Sequence, residues 1–446
     1  MRKLSSSKKL YQAASVFVTG GVQSSFRYVE PHPLYFSKAK GAYLWDVDGN
    51  RYVDCLVNMG ACILGHGDPK VTEGVRTHLR SGLVSTQETE LTVDLSRTLH
   101  KMIPSAEIVK FTNTGTEAVM HAIQIARGYS GKNKIAKLEG GYNGWYDYAL
   151  VSTHPRLEEA GPANAPVAVA GSAGLSKDAT TETIILPYNN IHDTSRIISE
   201  HKDELAAVII EPVMFNIGCV KPRNDYLKVI RQLTEDLGII LIFDEVISGF
   251  RLAPGGAQEY YGVTPDISTF GKAIANGYPL AAVVGKREFM KVTDPKTGKV
   301  AFAGTYNANQ IGIAASNATL KQLRTGRIQK RFHEQSKWLK KQFDSIAEDM
   351  HIDALLSALG GKFQVYFMHE EPVDYRTAIK TDARKYAAYY KSVLDSGVLM
   401  HPTPTFHHGL SAAHTRTELN IILKAMENGL RASNNVISKA AWESLG

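Results

Sequence analysis

The stretch LGIILIFDEV (237–246) is an unbroken apolar run that ends in two acidic residues, Asp244 and Glu245. Its β-branched and aromatic residues predict a strand that is buried on both faces. Other short apolar runs each predict a further buried strand: EIVKFTN (107–113), NKIAKLEG (133–140), LAAVIIEPV (205–213) and LAAVVG (280–285). We therefore expect the fold to be built on a central sheet.

Helical patterns lie between these strands. Apolar residues recur at three-to-four spacing, and a glycine closes the pattern, in 115–131 and 224–238. Strands that alternate with helices predict βαβ units. The sequence therefore indicates an α/β fold with a mostly parallel sheet and helices on both faces.

The last part of the chain has a different pattern. Helical patterns at 329–350 and 383–397 surround a strand-like segment at 361–368, and a terminal helix is predicted at 415–433. We predict a large domain over 71–320 and a smaller α+β C-terminal domain over 321–446. The N-terminal segment, 1–70, is expected to pack on the small domain.

The composition is that of an ordinary globular enzyme. Of the 446 residues, 43% are hydrophobic and 21% are charged, and no apolar run approaches the length of a membrane-spanning helix. The net charge is +7, but the basic residues are spread along the chain, which disfavours a nucleic-acid partner. The three cysteines lack zinc-site spacing and are expected to be reduced core residues. We expect a cytoplasmic protein that binds no metal.

Ligand sites in open α/β sheets lie beyond the carboxyl ends of the strands. Gly115 and Thr116 follow the first strand and begin a helix, where free N–H groups, a hydroxyl and the positive helix end make an anion site. A simple N-cap has the same signature. Tyr142 lies in the glycine-rich turn after the second strand, where it either presents a flat face to an aromatic ring or packs.

A carboxylate and a lysine complete the pattern. Asp244 ends an apolar strand and needs a cationic partner, which is either a structural one or a protonated heterocycle. Lys272 stands in DISTFGKAIANGYPL (266–280), where apolar and small neighbours can lower the pKa of a lysine and free its amine to form a Schiff base. Together with the anion site and the aromatic platform, these are the parts that hold pyridoxal 5′-phosphate (PLP).

The chain resembles the class III aminotransferases of fold type I, and within that class the glutamate-1-semialdehyde 2,1-aminomutases and their relatives. The resemblance implies a large domain with a mostly parallel seven-stranded sheet, and a homodimer whose subunits share their sites. It rests on motifs in the family's order and spacing over nearly the whole chain: GGVQSSFR (20–27), KGAYLWDVDGNRYVD (40–54), LGHGDPKV (64–71), FTNTGTEAVMHAIQIAR (111–127), IIEPVMFNIG (209–218), IFDEVISGFR (242–251), STFGKAIANGYPLAAVVG (268–285), GTYNANQ (304–310) and LSAAHT (410–415).

The resemblance also implies roles for individual residues. Lys272 would form the Schiff base and move protons, and Asp244 would pair with the pyridinium nitrogen. The other cofactor contacts that it implies are Gly115 and Thr116 at the phosphate, Tyr142 and Val246 on the two faces of the ring, Asn216 at the phenolic oxygen, and Thr305 reaching the phosphate from the partner subunit. On the substrate side it implies Arg27 for a carboxylate, Phe26 beside that arginine, Glu211 near the entrance, and His407.

A few positions depart from the family's pattern. Asn143 stands where a histidine usually follows Tyr142, and His407 stands where the aminomutases have an acid. Phe26 is new beside Arg27, and the usual asparagine-proline pair is Asn309-Gln310. We expect these changes to alter the substrate pocket and to leave the cofactor groups unaffected.

The changed pocket favours an aminotransferase that moves an amino group by a ping-pong mechanism from a donor such as glutamate to a carbonyl acceptor. The alternative is a glutamate-1-semialdehyde 2,1-aminomutase, which moves the amine within one molecule. An amino-sugar aminotransferase and a PLP-dependent racemase or epimerase are further alternatives, because a fold does not determine a function. A non-catalytic protein is disfavoured because Lys272 and Asp244 are both present.

Overall fold

The computed structural model describes residues 3–80, 82 and 86–436. Its centre is a seven-stranded sheet with the order β4-β10-β9-β8-β7-β5-β6, in which only β10 runs antiparallel to its neighbours. The α/β prediction is confirmed. The strands are β4 (Ile108–Thr112), β5 (Lys134–Leu138), β6 (Thr183–Leu186), β7 (Leu205–Ile210), β8 (Ile240–Asp244), β9 (Ile267–Phe270) and β10 (Ala281–Gly285).

The central strands are apolar because helices cover both faces of the sheet. Every residue of β7 and β8 is buried. The helix α4 (Gly115–Ser130) begins with a capping box between Thr114 and Glu117 and stops at Gly131, whose φ of 71° is left-handed. The other helices of this part are α2 (Pro69–Leu79), α3 (Glu90–Met102), α5 (Lys177–Thr181), α6 (Ile191–Glu200), α7 (Tyr226–Asp236), α8 (Ala257–Tyr261), α9 (Arg287–Met290) and α10 (Gln310–Leu323).

The C-terminal part is a smaller α+β unit, as predicted. Its antiparallel sheet has the order β11-β12-β14. The predicted limit between residues 320 and 321 falls inside α10, and the nearest break in secondary structure is the turn before α11; the domain limits stay a prediction. The elements are α11 (Arg327–Asp349), β11 (Leu355–Leu359), β12 (Lys362–Tyr366), α12 (Tyr375–Ala378), α13 (Ala383–Asp395), β13 (Val398–Leu399), β14 (His408–Gly409) and α14 (Arg416–Asn434).

The N-terminal segment is joined to the small domain through a shared sheet. After α1 (Ser5–Phe17) come β1 (Phe36–Lys40), β2 (Tyr43–Asp46) and β3 (Arg51–Asp54). These strands pair antiparallel, and β3 then pairs in parallel with β13. The first and last parts of the chain therefore form one structural unit. Within the described residues, no helix combines the length and apolarity needed to cross a membrane.

Candidate active site

A cavity of about 310 Å³ lies at the carboxyl ends of the central strands. It contains every predicted site residue except Thr305. Chain segments that are far apart in sequence meet here because parallel strands end at the same edge of the sheet. The predicted residues that line it are Phe26, Arg27, Gly115, Thr116, Tyr142, Glu211, Asn216, Asp244, Val246, Lys272 and His407.

Asp244 ends β8 inside this cavity with both carboxylate oxygens occupied. Oδ1 accepts from the backbone N–H of Val246 (3.1 Å) and from Thr269 Oγ1 (3.3 Å), and Oδ2 accepts from Asn143 Nδ2 (2.8 Å). Burial raises the pKa of Asp244, while the hydrogen bonds and the charge of Lys272 act in the opposite direction. The carboxylate is therefore held in a fixed orientation toward the cavity.

The contact of Asn143 corrects one sequence-based expectation. We expected the departure at this position to affect only the substrate pocket. Asn143 is 3% exposed and donates directly to Asp244, so it contacts the carboxylate that is predicted to hold the cofactor. Asp244 is a hundred residues further along the chain, and local sequence carries no signal for a contact at that separation.

Lys272 is the second residue after the end of β9 and opens a short 3₁₀ turn, Lys272–Ala275. Its φ of 45° lies in the left-handed region, a strained conformation that accumulates at functional sites. Burial lowers the pKa of Lys272, and the positive charge of Arg251 adds to this effect, whereas Asp244 and Glu211 oppose it. The lysine thus has the depressed pKa that favours a nucleophilic amine.

The first turn of α4 lies at the cavity, at the place where the sequence predicts an anion site; the binding of an anion there stays a prediction. Thr114 rather than Thr116 provides the N-cap, since its side chain accepts from the N–H of Glu117 (3.2 Å). Gly115 and Thr116 line the cavity at positions whose N–H groups have no intrahelical acceptor. A Cβ on Gly115 would lie 3.0 Å from both methyl groups of Val246, so glycine allows the helix to start this close to the cavity.

Tyr142 and Glu211 both line the cavity and are joined by hydrogen bonds. The N–H of Tyr142 donates to Glu211 Oε1 (3.1 Å), and Asn216 Nδ2 donates to Glu211 Oε2 (2.8 Å) and to the carbonyl of Tyr142 (3.1 Å). The resemblance implied that Glu211 lies near the entrance. The structure instead buries it to 4% exposure, and burial together with the charge of Asp244 raises its pKa to about 8.

The residues that are predicted to contact the substrate come from the N-terminal segment and the C-terminal part of the chain. Arg27, at the end of a 3₁₀ turn, is exposed, and its guanidinium has no ion pair or hydrogen bond within the described residues. His407 is buried, and its Nδ1 lies 2.8 Å from the carbonyl of Phe215. This contact makes Nδ1 the donor, and the remaining nitrogen, Nε2, has no partner among the described residues. Burial and the charges of Lys362 and Lys272 lower the pKa of His407.

Thr305 lies outside the cavity. It is exposed, in the segment that precedes α10. The neighbouring Asn309 caps that helix through Oδ1, which accepts from the N–H of Gly312 (2.8 Å). A contribution of Thr305 to a partner's site stays a prediction.

The sequence analysis did not single out Met59, His154 or Lys137. Met59 and His154 line the cavity, and Lys137 lies fully buried in β5. His154 offered no signal, because a single histidine in a loop is common. Lys137 did offer one, since it stands between apolar residues in NKIAKLEG, the same feature that drew attention to Lys272.

A helix N-terminus for a phosphate, a buried carboxylate for a pyridinium and an amine of depressed pKa on one cavity define a PLP-dependent enzyme of fold type I. The chain belongs to the class III aminotransferases, since the family model "Aminotransferase class-III" matches residues 25–408.

Its relatives include glutamate-1-semialdehyde 2,1-aminomutases. The protein of this name from Methanocaldococcus jannaschii is 40% identical over 426 residues, which cover 96% of this chain and 98% of the relative. That from Methanothrix thermoacetophila is 39% identical over 424 residues, which cover 95% and 96%.

Among solved structures, an omega-transaminase from Sphaerobacter thermophilus has a TM-score of 0.92 at 32% identity and covers 96% of this chain and 98% of its own. A β-phenylalanine aminotransferase from Variovorax paradoxus has a TM-score of 0.87 at 26% identity, with coverage of 97% and 95%. The enzyme class and the PLP cofactor predicted from the sequence are confirmed.

Proposed function

We propose that this enzyme is a glutamate-1-semialdehyde 2,1-aminomutase, which moves an amino group within one carboxylate-bearing molecule. The observation that carries the proposal is the relationship to aminomutases over nearly the full length of the chain, at 40% identity in the case of Methanocaldococcus jannaschii. The unpaired Arg27 supports it, because its planar guanidinium binds a carboxylate through two parallel hydrogen bonds.

The residues divide the work as follows in this proposal. Gly115 and Thr116 would bind the phosphate of PLP, Asp244 would hold the proton on the ring nitrogen, Tyr142 and Val246 would contact the ring, and Asn216 would contact the phenolic oxygen. PLP supplies an electron sink when bound. Lys272 Nζ takes a proton from the substrate carbon and returns it elsewhere, for which its lowered pKa suits it. Arg27 holds the carboxylate and so orients the amine-bearing carbons.

The test is to give the PLP-loaded enzyme glutamate-1-semialdehyde with no other amine. Transfer within the molecule converts it to 5-amino-4-oxopentanoate, which we expect to form over many turnovers. A parallel incubation with L-glutamate alone should release no 2-oxoglutarate. Stoichiometric 2-oxoglutarate from glutamate, without 5-amino-4-oxopentanoate from the semialdehyde, would contradict the aminomutase.

The second candidate is an intermolecular aminotransferase with glutamate or another amine as donor, which was our expectation from the sequence. One observation favours it: an omega-transaminase is 32% identical over 96% of the chain. The resemblance adds that His407 stands where an acid is expected in an aminomutase. A second cavity of about 800 Å³ also shares Phe26, Arg27 and Met59 with the first, which leaves room for a larger amine. The glutamate incubation, followed by other amines, decides between the two reactions.

We further propose a homodimer in which Thr305 completes the phosphate site of the partner, and a cytoplasmic location. The exposure of Thr305, away from the cavity of its own chain, supports the dimer. Mixing Lys272→Ala and Thr305→Ala chains tests it. If the site is shared, half of the sites in a mixed dimer carry both defects and the other half carry none, so activity should recover. No recovery in proven mixed dimers would contradict sharing.

A further inference from the structure

A second lysine lies under the same cavity. Lys137, the last residue but one of β5, is 0% exposed and sits between Ile185 of β6 and Ile209 of β7. Burying an amine in the centre of a sheet is unfavourable unless its N–H groups find acceptors. Burial lowers the pKa of Lys137 to about 7, against the opposite effect of the nearby Glu211 and Asp244.

The two acceptors of Lys137 Nζ lie near the two ends of one loop. Nζ donates to the carbonyl of Gly141 (2.7 Å) and to that of Val151 (2.6 Å). Between these two carbonyls lie Tyr142, on the cavity wall, and Asn143, the donor to Asp244. Lys137 is therefore the buried cross-link at the base of the loop that carries two groups of the cofactor side.

Charge gives the second reason for a lysine here. Two carboxyl groups, Glu211 and Asp244, are buried beside the cavity, and each disfavours ionisation of the other. The other lysine of the site, Lys272, uses its amine on the cofactor and the substrate in the proposed mechanism. Lys137 lies close enough to both acids for their charges to act on its pKa, and two hydrogen bonds tie its Nζ to the backbone.

We propose that Lys137 is a positioning residue for the cofactor: it holds Gly141 and Val151 so that Tyr142 stays against the ring and Asn143 stays on Asp244. The inference rests on the cofactor roles proposed for Tyr142 and Asp244 but not on the identity of the amine. It concerns binding of PLP, so it survives if the enzyme proves to be an intermolecular transferase.

The chain offers a matched control. Lys362, in β12, is also 0% exposed, but its Nζ has no hydrogen-bond partner within the described residues and lies against Gly60 and Gly409. Lys137→Met and Lys362→Met therefore make the same side-chain replacement at equally buried positions. Only the first removes hydrogen bonds to the loop.

The first measurement is the dissociation constant of PLP for each variant, with the circular dichroism of the bound cofactor in the visible range. For Lys137→Met we expect the dissociation constant to rise about tenfold or more and the visible band to weaken, because the ring loses its fixed orientation. Lys362→Met should match the wild type. Equal PLP affinity and equal visible bands in the two variants would overturn the proposal.

A second variant covers the case in which Lys137→Met does not fold. Lys137→Gln keeps an N–H donor but no charge, and hydrogen–deuterium exchange reports on the loop itself. We expect faster exchange confined to residues 140–152, together with weaker PLP binding. Exchange and PLP binding that both equal the wild type would show that Lys137 positions nothing.

Discussion

The two walls of the cavity differ in how their polar groups are satisfied. On the wall that we propose for the cofactor, here called the cofactor wall, Asp244 and Glu211 each have both oxygens hydrogen-bonded. On the wall that we propose for the substrate, here called the substrate wall, Arg27 has no acidic partner within the described residues. His407 Nε2 has no hydrogen-bond partner among them either. One wall is thus organised before any ligand arrives, whereas the other retains unused hydrogen-bonding capacity that a substrate can satisfy.

The largest expected effect on the difference between the two walls comes from removing Lys272, which we propose acts on both the cofactor and the substrate. Lys272→Ala should lower turnover by at least about 10²- to 10⁴-fold, the scale of one lost acid–base group, because no other amine replaces its Nζ in the cavity. Steady-state rates and the visible absorbance of the bound cofactor measure this. The far-ultraviolet circular dichroism should be unchanged, and a variant with near-normal turnover would contradict our assignment of Lys272.

The substrate wall is tested next, through Arg27. Arg27→Gln should lower kcat/KM roughly 10- to 100-fold, since a charge-assisted bidentate contact is lost, while PLP affinity stays at the wild-type value. Arg97→Gln is the control, because that arginine is also exposed and lies on α3, away from the cavity. A loss of PLP affinity in Arg27→Gln would show that Arg27 also affects cofactor binding, which would contradict the division into two walls.

The cofactor wall is tested through Asn143. Asn143→Leu removes the side chain that donates to Asp244 at 2.8 Å. PLP binding should weaken about tenfold, because the buried carboxylate loses one of its hydrogen bonds. Asn143→His keeps a donor and should recover most of the affinity. Fluorescence titration of the apoenzyme with PLP measures both, and equal affinities for the leucine variant and the wild type would argue against this role.

The smallest effect concerns pH and Glu211. Its pKa is raised to about 8 from an ordinary value of 4.5, so between these values the folded state retains a proton that the unfolded state has lost. The contribution of Glu211 to the stability of the apoenzyme is therefore full below about pH 4.5 and is lost as pH rises through about 8. Urea denaturation at several pH values should show a weaker decline for Glu211→Gln, and parallel pH dependences would contradict the shift.

Local sequence patterns predicted most of the sheet and the residues that follow its strands. Asp244 and Lys272 could be predicted in this way because each lies within two residues of a strand end. The four-residue strand β6 (Thr183–Leu186) was not predicted, because so short a run carries little signal. Contacts such as Asn143 to Asp244, and the pairing of Lys137 with Val151, depend on how distant segments fold together, and single-sequence patterns do not record that.

The shared sheet of the first and last parts of the chain has a consequence for biosynthesis. Strand β3 (Arg51–Asp54) leaves the ribosome early, but its parallel partner β13 (Val398–Leu399) emerges tens of seconds later at roughly 5–20 residues per second. Until then one edge of β3 is unpaired, and exposed strand edges invite association with other chains. The pairing of β3 is therefore completed only after the strands of the central sheet have left the ribosome.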